Sequence, residues 1–338
     1  MSLPTTEEVR AARERIKPFV LLTPLLRAEG LDRPGYRVFL KPECLQRTGS
    51  FKVRGAWNAL LALDAQTRER GVVTHSSGNH GQAMALAARE AGMMDRKQPY
   101  PCAVVMPKSA EPSKVEKVKA LGAEVLLAGD ASEERRAKAQ ALAAERGATL
   151  IPSFDHPQVM AGQGSLGLEI MDQWMGQPSR TRRLALVAGP VGGGGLMGGT
   201  GLALRSRGFS NRIIGVEPET ADDMRQSLAA GKRVAIPPPQ TICDGLRSQT
   251  PGELTFAAFQ QAKLEMVAVS EDQVRRACYR LLEAQKLLVE PSGAVAVAAW
   301  LGGAIAVEPD PPPEKAGDAV LILSGGNVAP ATVAAWRA

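Results

Sequence analysis

The stretch GPVGGGGLMGG, residues 189–199, follows the apolar run Leu184–Ala188, which is typical of a buried strand. Successive glycines leave backbone N–H groups with no Cβ in the way, so such a turn can hold a phosphate at the start of a helix. A turn with a purely structural role rarely needs four of them. The sequence therefore predicts a strand, a phosphate-binding loop and a helix, with the loop formed by Gly192, Gly193, Gly194 and Gly195.

The rest of the chain continues this alternation of strand and helix. Thr5 with Glu8, and Ser270 with Gln273, have the spacing of capping boxes that open helices. The order of elements predicts an α/β fold with mainly parallel, twisted sheets flanked by helices. The predicted strands are Arg37–Leu40, Gly71–His75, Cys102–Met106, Glu124–Leu127, Leu184–Ala188, Arg212–Val216, Met266–Val269 and Ala319–Leu323; the predicted helices include Gln82–Glu90, Ser113–Leu121, Ser132–Arg146 and Glu271–Gln285.

A lysine stands where another predicted helix begins. In TGSFKVRGA, residues 48–56, a glycine-containing turn follows a predicted strand that ends near Glu43 and leads into an apolar helical run. Lys52 would then lie at the positive end of the helix dipole, which lowers the pKa of its amine. A neutral amine is the form that makes a Schiff base. A solvated surface lysine is the alternative interpretation of this segment.

A second polar turn, SSGNHGQ at residues 76–82, follows the predicted strand Gly71–His75. Backbone N–H groups at such a turn can bind a carboxylate. The Ser77 hydroxyl can act as an acid or base, and Asn79 can hydrogen-bond a phenolic oxygen; an ordinary capped turn is the alternative. The chain has only three histidines, so His80 gives little support to a metal triad or a catalytic Ser–His pair.

The glycine-rich loop also fits a dinucleotide-binding fingerprint. Glu217 ends the predicted strand Arg212–Val216, about 20 residues beyond the loop, where such a fingerprint has an acidic residue. A NAD(P)- or FAD-dependent oxidoreductase is therefore the rival interpretation. The G-x-G-x-x-G spacing is formed by Gly193, Gly195 and Gly198.

Composition limits the classes of function. Hydrophobic residues make up 44% and charged residues 22% of the 338-residue chain, as in ordinary soluble proteins. The net charge of +6 is dispersed, with its densest cluster at Arg180–Arg183, so nucleic-acid binding is not expected. No apolar run reaches the roughly 18 residues of a membrane span, so no such span is expected. The polar start of the chain predicts no secretory signal. Four scattered cysteines fit a reducing cytoplasm, which is the predicted location.

Taken in order, these motifs resemble those of the fold type II pyridoxal 5'-phosphate (PLP) enzymes, specifically the serine/threonine dehydratase and serine racemase group, which includes 3-hydroxyaspartate dehydratases. The resemblance covers nearly the whole chain, and the joint order and spacing of the motifs are specific. It runs from LTPL at residues 22–25 through KPE at 41–43, AGQG at 161–164 and EPSGA at 290–294 to SGGN at 324–327.

The resemblance implies a role for each candidate residue. Lys52 forms the Schiff base with PLP and is the base on one face of the substrate Cα, and Ser77 is the acid or base on the opposite face, as in the serine racemases. Asn79 bonds the cofactor O3', and Ser324 contacts the pyridine nitrogen. The implied cofactor contacts are Phe51, Lys52, Asn79, Gly192, Gly193, Gly194, Gly195 and Ser324. The implied contacts of the substrate carboxylate are Ser76, Ser77, Asn79 and His80.

A divalent-cation site is implied as well. EPETADD, residues 217–223, resembles the cation site of the racemases and hydroxyaspartate dehydratases. Glu217 and Asp223 would supply carboxylates and Ala221 a backbone carbonyl, and such hard oxygen ligands suit Mg²⁺ or Ca²⁺. A helix start that is merely enriched in acidic residues is the alternative.

The fold that this resemblance implies is the tryptophan synthase β-like fold with two lobes. The large PLP-binding lobe comprises residues 1–69 and 148–338, and a small mobile lobe, residues 70–147, closes over the substrate and excludes water. The implied assembly is a homodimer, and the expected partner is a small-molecule amino acid.

The expected activity is removal of water and then ammonia from L-serine, L-threonine or another 3-hydroxy-amino acid, such as hydroxyaspartate or phenylserine. The product is a 2-oxo acid, and serine racemisation is the expected second activity. A PLP-fold protein that binds ligand without turnover is a further alternative.

Overall fold

The computed structural model of the chain describes residues 1–76, 78–129, 132–177, 182–309, 311–312 and 316–337. Within that part of the chain, ten strands form two sheets. The strands are β1 (Leu26–Arg27), β2 (Tyr36–Pro42), β3 (Val72–His75), β4 (Cys102–Pro107), β5 (Glu124–Ala128), β6 (Thr149–Leu150), β7 (Arg183–Pro190), β8 (Arg212–Pro218), β9 (Glu265–Val269) and β10 (Gly317–Leu323).

The six-stranded sheet has the order β1-β2-β10-β7-β8-β9. Its neighbouring strands are parallel except for the antiparallel pair β1 and β2. The four-stranded sheet has the order β5-β4-β3-β6 and is parallel throughout. Parallel strands need crossover connections, and helices supply them here.

The helices run between these strands. They are α1 (Thr6–Ile16), α2 (Lys52–Leu61), α3 (Ala65–Arg70), α4 (Asn79–Arg96), α5 (Pro112–Ala120), α6 (Ser132–Arg146), α7 (Pro157–Met175), α8 (Gly195–Ser206), α9 (Asp223–Ala230), α10 (Glu253–Ala262), α11 (Glu271–Gln285), α12 (Pro291–Leu301) and α13 (Pro330–Ala334).

Both faces of each sheet are covered. On one face of the large sheet, residues of α11 and α12 form a core around the buried Trp300. On the other face, α7, α8 and α10 pack around Met160 and Phe259. Residues of α2 and α4 join the small sheet in a third core around Trp57, and α6 packs on the opposite face. Burial on both faces explains why the central strands are continuous apolar runs in the sequence.

The predicted α/β class with mainly parallel sheets is confirmed, and each predicted strand lies within an observed one apart from Gly71. Gly71 instead ends α3, with φ 90°, and a Cβ there would lie 2.6 Å from the carbonyl oxygen of Pro101. Both capping boxes form as predicted. The four-stranded sheet spans residues 72–150. The division into lobes at 69/70 and 147/148 stays a prediction.

Candidate active site

Lys52 is the first residue of α2, as the sequence predicts. The turn before it has two residues with positive φ, Thr48 at 58° and Gly49 at 71°. The Lys52 Nζ donates to the carbonyl oxygen of Ser153 at 2.8 Å and lies 5.2 Å from the centre of the Phe51 ring. Burial lowers the pKa of Lys52 to about 8, because it outweighs the opposing attraction of Glu290. The amine is therefore easier to deprotonate than an ordinary lysine.

A buried ion network holds the first turn of α2 in place. Arg54 Nε pairs with Glu43 at 2.7 Å, just after β2, and Arg54 Nη1 pairs with Glu169 of α7 at 2.7 Å. Lys41 Nζ joins the same Glu169 at 2.9 Å. Buried charges are tolerated when they are paired and hydrogen-bonded, and leaving one unpaired is costly. The network therefore fixes the orientation of Lys52 relative to the large sheet, a role that the sequence motif KPE did not reveal.

The glycine-rich loop connects β7 to α8. Gly194 has φ 88°, and α8 begins without a side-chain cap, so its first N–H groups have no intrahelical partner. A Cβ on Gly193 would lie 2.4 Å from the Phe154 ring, which leaves no room for a larger residue. Free N–H groups at the positive end of a helix suit a phosphate monoester. The predicted phosphate-binding loop thus has the required backbone.

The turn between β3 and α4 is also open at a helix start. Ser76 Oγ accepts from the Gly78 N–H at 3.1 Å, and α4 begins at Asn79 without a side-chain cap. The first N–H groups of α4 can therefore donate to a carboxylate. Ser77, the predicted second acid or base, lies outside the described residues. Burial and the nearby Lys52 lower the pKa of His80 to about 3, so its ring is neutral.

Asn79 joins a polar cluster that includes a carboxyl group missed by the sequence reasoning. Its Nδ2 donates to Glu290 Oε1 at 2.7 Å, and its Oδ1 accepts from Asn327 Nδ2 at 2.8 Å. The backbone N–H of Asn327 donates to Glu290 Oε2 at 3.1 Å. Burial and Asp244 raise the pKa of Glu290 to about 7. The EPSGA motif contains this glutamate and was the signal that could have identified it.

The last motif lies directly beside the lysine. Ser324 directly follows β10 and is buried, and its carbonyl oxygen accepts from the Phe51 N–H at 3.0 Å. Its hydroxyl has only a long contact, 3.5 Å, to the carbonyl oxygen of Ser292. The hydroxyl is therefore available to a ring nitrogen. The segments that contain Lys52, Asn79 and Ser324 are far apart in sequence but lie next to one another. Phe154 follows Ser153, the partner of Lys52, and contacts the glycine-rich loop.

The three residues of the predicted cation site lie together, but Glu217 is already hydrogen-bonded. Its carboxylate oxygens accept from the backbone N–H groups of Met224 and Arg225, each at 3.0 Å. Both carboxylate oxygens of Asp223 are buried without a hydrogen-bond partner, since Ser248 nearby donates to Thr250 instead. Burial raises the pKa of both acids, that of Asp223 to about 7. No group of three or more His, Cys, Asp or Glu side chains suited to a metal occurs among the described residues.

These contacts also bear on the rival interpretation. A dinucleotide site needs the acidic residue after the second strand to reach a ribose hydroxyl. Glu217 is fully buried and is used by the first turn of α9. The carboxylate is therefore unavailable for a ribose, and the interpretation as an oxidoreductase loses its main support.

A lysine of lowered pKa, a glycine-rich helix start that suits a phosphate and a nearby hydroxyl fit the class of enzymes that use a phosphorylated aldehyde cofactor. The chain belongs to the family of pyridoxal-phosphate dependent enzymes, whose model matches residues 16–334. The fold and the residues present both fit PLP, and the sequence resemblance to the serine/threonine dehydratase and serine racemase group is confirmed.

Similar proteins come from several organisms. The chain is 39% identical to the L-threo-3-hydroxyaspartate ammonia-lyase of Saccharomyces cerevisiae over 97% of this chain and 94% of that one. It is 38% identical to the serine racemase of Arabidopsis thaliana over 95% and 92% of the two chains. The structure of maize serine racemase superposes with a TM-score of 0.87 at 34% identity, covering 98% of this chain and 96% of that one.

Two further observations concern the environment of the protein. Across the described residues, no helix has both the length and the apolar character needed to cross a bilayer. The four cysteines are free thiols, and Cys102, Cys243 and Cys278 are buried. The structure thus has no disulfide among its described residues.

Proposed function

We propose that this chain is a PLP-dependent ammonia-lyase. Its substrates would be L-serine, L-threonine or another 3-hydroxy-amino acid, from which it removes water and then ammonia to leave a 2-oxo acid. Serine racemisation would be its second activity. The names of the similar enzymes support the proposal, since they are ammonia-lyases and racemases of amino acids.

One observation carries the proposal. The Lys52 amine, with its pKa lowered to about 8, donates to the carbonyl oxygen of Ser153, and the next residue, Phe154, packs against Gly193 of the glycine-rich loop. When bound, PLP supplies an electron sink for the substrate Cα. Lys52 would hold the cofactor and then accept the Cα proton on its own face. Gly192 to Gly195 would hold the phosphate.

The other residues would bind and orient. The free N–H groups at the start of α4 would hold the substrate carboxylate, with Ser76, Ser77, Asn79 and His80 around it. Ser324 would place a neutral hydroxyl at the pyridine nitrogen, which would leave that nitrogen largely unprotonated. The cofactor ring would then withdraw electrons from the substrate Cα less strongly. Because such a ring stabilises a carbanion less, loss of the Cα proton is favoured when it is coupled to departure of a β-hydroxyl.

A single pair of measurements tests the proposal. The purified protein should show the absorption of a lysine-bound PLP, and it should release ammonia and a 2-oxo acid from L-serine or L-threonine. A nicotinamide or flavin spectrum would instead support the oxidoreductase. A PLP spectrum with no product from a panel of 3-hydroxy-amino acids would indicate a protein that binds ligand without turnover.

We also propose that Glu217, Ala221 and Asp223 bind Mg²⁺ or Ca²⁺. The two buried oxygens of Asp223 that lack a partner support this site, because a cation would satisfy both. Two nearby buried carboxylates of raised pKa are also the environment that a divalent cation stabilises. The site would stabilise the segment between β8 and α9.

We also propose that the protein is a homodimer and that it lies in the cytoplasm. A homodimer is supported by exposed leucines that lie close together near residues 21–22 and 45. A cytoplasmic location is supported by the free thiols of the four cysteines.

A further inference from the structure

An ion pair links the regions of the two sheets. Lys114 of α5, beside the small sheet, contacts Asp244 in a short turn of the large-sheet region, 130 residues further along the chain. The side chain of Lys114 is only 17% exposed and that of Asp244 35% exposed. Partial burial on both sides means that this pair is more than an ordinary surface contact.

Lys114 lies against the turn that would hold the substrate carboxylate. A Cβ built on Gly78 would be 3.6 Å from the Cδ of Lys114. Gly78 directly precedes α4, where the carboxylate is expected. The lysine stem therefore forms the wall next to a bound amino acid.

Asp244 lies against the phosphate side of the same cleft. Its Oδ1 is 3.5 Å from Ser292 Oγ, which also accepts from the Gly245 N–H at 2.9 Å. The carbonyl oxygen of Gly245 is 3.1 Å from a Cβ built on Gly192 of the glycine-rich loop. The ion pair thus lies between the turn that precedes α4 and the glycine-rich loop.

The charges around the pair are unequal. Three carboxylates, those of Asp244, Glu111 and Glu290, attract the Lys114 ammonium and raise its pKa against the opposing effect of burial. The ammonium therefore stays protonated at neutral pH. Because one ammonium lies among three acidic groups, this part of the site has no net positive charge.

We propose that the Lys114–Asp244 pair contacts the substituent on the substrate Cβ and selects an uncharged one, such as a hydroxyl, over a second carboxylate. A hydroxyl has one hydrogen to donate and lone pairs to accept, so the carboxylate and the ammonium satisfy it together. A second carboxylate would compete with Asp244 for Lys114 and be repelled by it. The inference rests on the proposed function, because it assumes that an amino acid binds in this cleft.

The test compares two ligands of nearly the same shape, one with a neutral side chain and one with a charged side chain. L-Asparagine and L-aspartate are nearly isosteric, and neither has a β-hydroxyl to lose. Their dissociation constants from the PLP-loaded protein would be measured by calorimetry and by the change in cofactor absorption. The wild type should bind L-asparagine more tightly than L-aspartate, by about tenfold or more at the effective dielectric of a partly buried site.

Two variants should move this ratio in opposite directions. Asp244→Asn removes the nearest of the carboxylates around Lys114 and should shift the preference toward L-aspartate by about tenfold. Lys114→Met leaves the carboxylate and should shift it further toward L-asparagine. A lysine on the same helix that pairs with Glu116 at the surface provides the control, and Lys119→Met should leave the ratio unchanged. General damage to the fold would not shift the ratio of the two dissociation constants in opposite directions in the two variants.

Equal or tighter binding of L-aspartate by the wild type would overturn the inference, as would variants that shift the ratio in the same direction. Ammonia release from L-serine is measured separately. A protein that prefers L-asparagine but has no lyase activity would contradict the proposed function and leave the selectivity intact. A protein that releases ammonia from L-serine and binds both ligands equally would support the proposed function and contradict the selectivity.

Discussion

The environment of Lys52 lowers the pKa of its amine, and Schiff-base formation needs a neutral amine. Burial is the largest influence on its pKa, and the carboxylate of Glu290 opposes it. The helix start predicted from sequence is present and acts in the same direction as burial. The sequence could indicate the helix start, whereas burial depends on Ser153 and the neighbouring loops, which are about 100 residues away.

The first prediction concerns the lysine itself. Lys52→Ala should abolish the lysine-bound cofactor spectrum and lower ammonia release by at least about a thousandfold, because the base on that face of Cα is lost. Borohydride reduction followed by peptide mass spectrometry measures the linkage. Lys138→Ala, at an exposed position on α6, is the control. A reducible adduct that persists on another lysine would contradict the assignment.

The second prediction separates elimination from racemisation. Racemisation needs proton transfer on both faces of Cα, and Lys52 serves only one. Ser77→Ala should therefore abolish interconversion of the serine enantiomers while part of the elimination from L-serine remains. Chiral chromatography of the serine pool measures this directly. Interconversion at the wild-type rate in the variant would exclude Ser77 as the second base, and no racemisation in the wild type would limit it to carboxylate binding.

The third prediction is a pH dependence that follows from Glu290. Its pKa in the folded protein, about 7, is raised from 4.5, so the folded state binds a proton more tightly than the unfolded state. That contribution to the free energy of unfolding is complete below about pH 4.5 and is lost as the pH rises through 7, with a magnitude of about 3 kcal/mol.

Thermal unfolding between pH 5 and 8 measures this effect. The wild type should lose stability relative to Glu290→Gln as the pH rises, since glutamine has no proton to lose. Lys52, Lys114 and Asp244 also act on this carboxyl and are the same in both proteins. Parallel melting curves for the two proteins across this range would show that Glu290 does not titrate there.

At the scale of elements, the long strands and the capped helix starts could be predicted from the sequence, and the two-residue strands could not. The strands β7, β8 and β10 are long apolar runs, and the capping boxes at Thr5 and Ser270 depend on spacing alone. The two-residue strands β1 and β6 have no periodicity to detect, because they exist only through pairing with distant strands. The buried network of Arg54 was hidden for the same reason, since Glu169 is 115 residues away.

The fourth prediction belongs to the start of α9. Added Mg²⁺ or Ca²⁺ should raise the melting temperature of chelator-treated protein, because a ligand held only by the folded state stabilises it by about 2.7 kcal/mol at a hundredfold excess over Kd. Asp223→Ala should remove that shift. Asp222→Ala is the matched control, since the Asp222 carboxylate is used by Arg225 and Gln226. An equal shift in Asp223→Ala, or none in the wild type, would exclude the site.

At the scale of the whole molecule, the two sheets meet where function is expected. The carboxyl end of β3 leads to the turn before α4, and the carboxyl ends of β7 and β10 lead to the glycine-rich loop and to Ser324. In open parallel sheets, ligands bind at this edge. The sequence motifs could therefore indicate which turns line a site, while the Lys114–Asp244 contact depends on how the two sheets are arranged and could not be read from spacing.

The last prediction concerns assembly. Leu22 is 67% exposed, and Leu21 and Leu45 are about half exposed. The backbone of Leu21 exchanges two hydrogen bonds of 2.8 Å with the side chain of Gln46, which holds these leucines together as one apolar patch. Exposed apolar patches of this kind mark interaction sites, and we expect the patch to be buried in the proposed homodimer.

Sedimentation velocity tests this assembly. The wild type should sediment at twice the 35.8 kDa of the single chain. A double variant, Leu22→Glu with Leu45→Glu, should dissociate at least about a hundredfold more readily, because each charge would lose its hydration in the interface without gaining a partner. Leu127→Glu changes an equally exposed leucine on β5 and should leave the dimer intact. A wild type that sediments as a single chain, or a double variant that remains paired, would show that this patch does not join two copies.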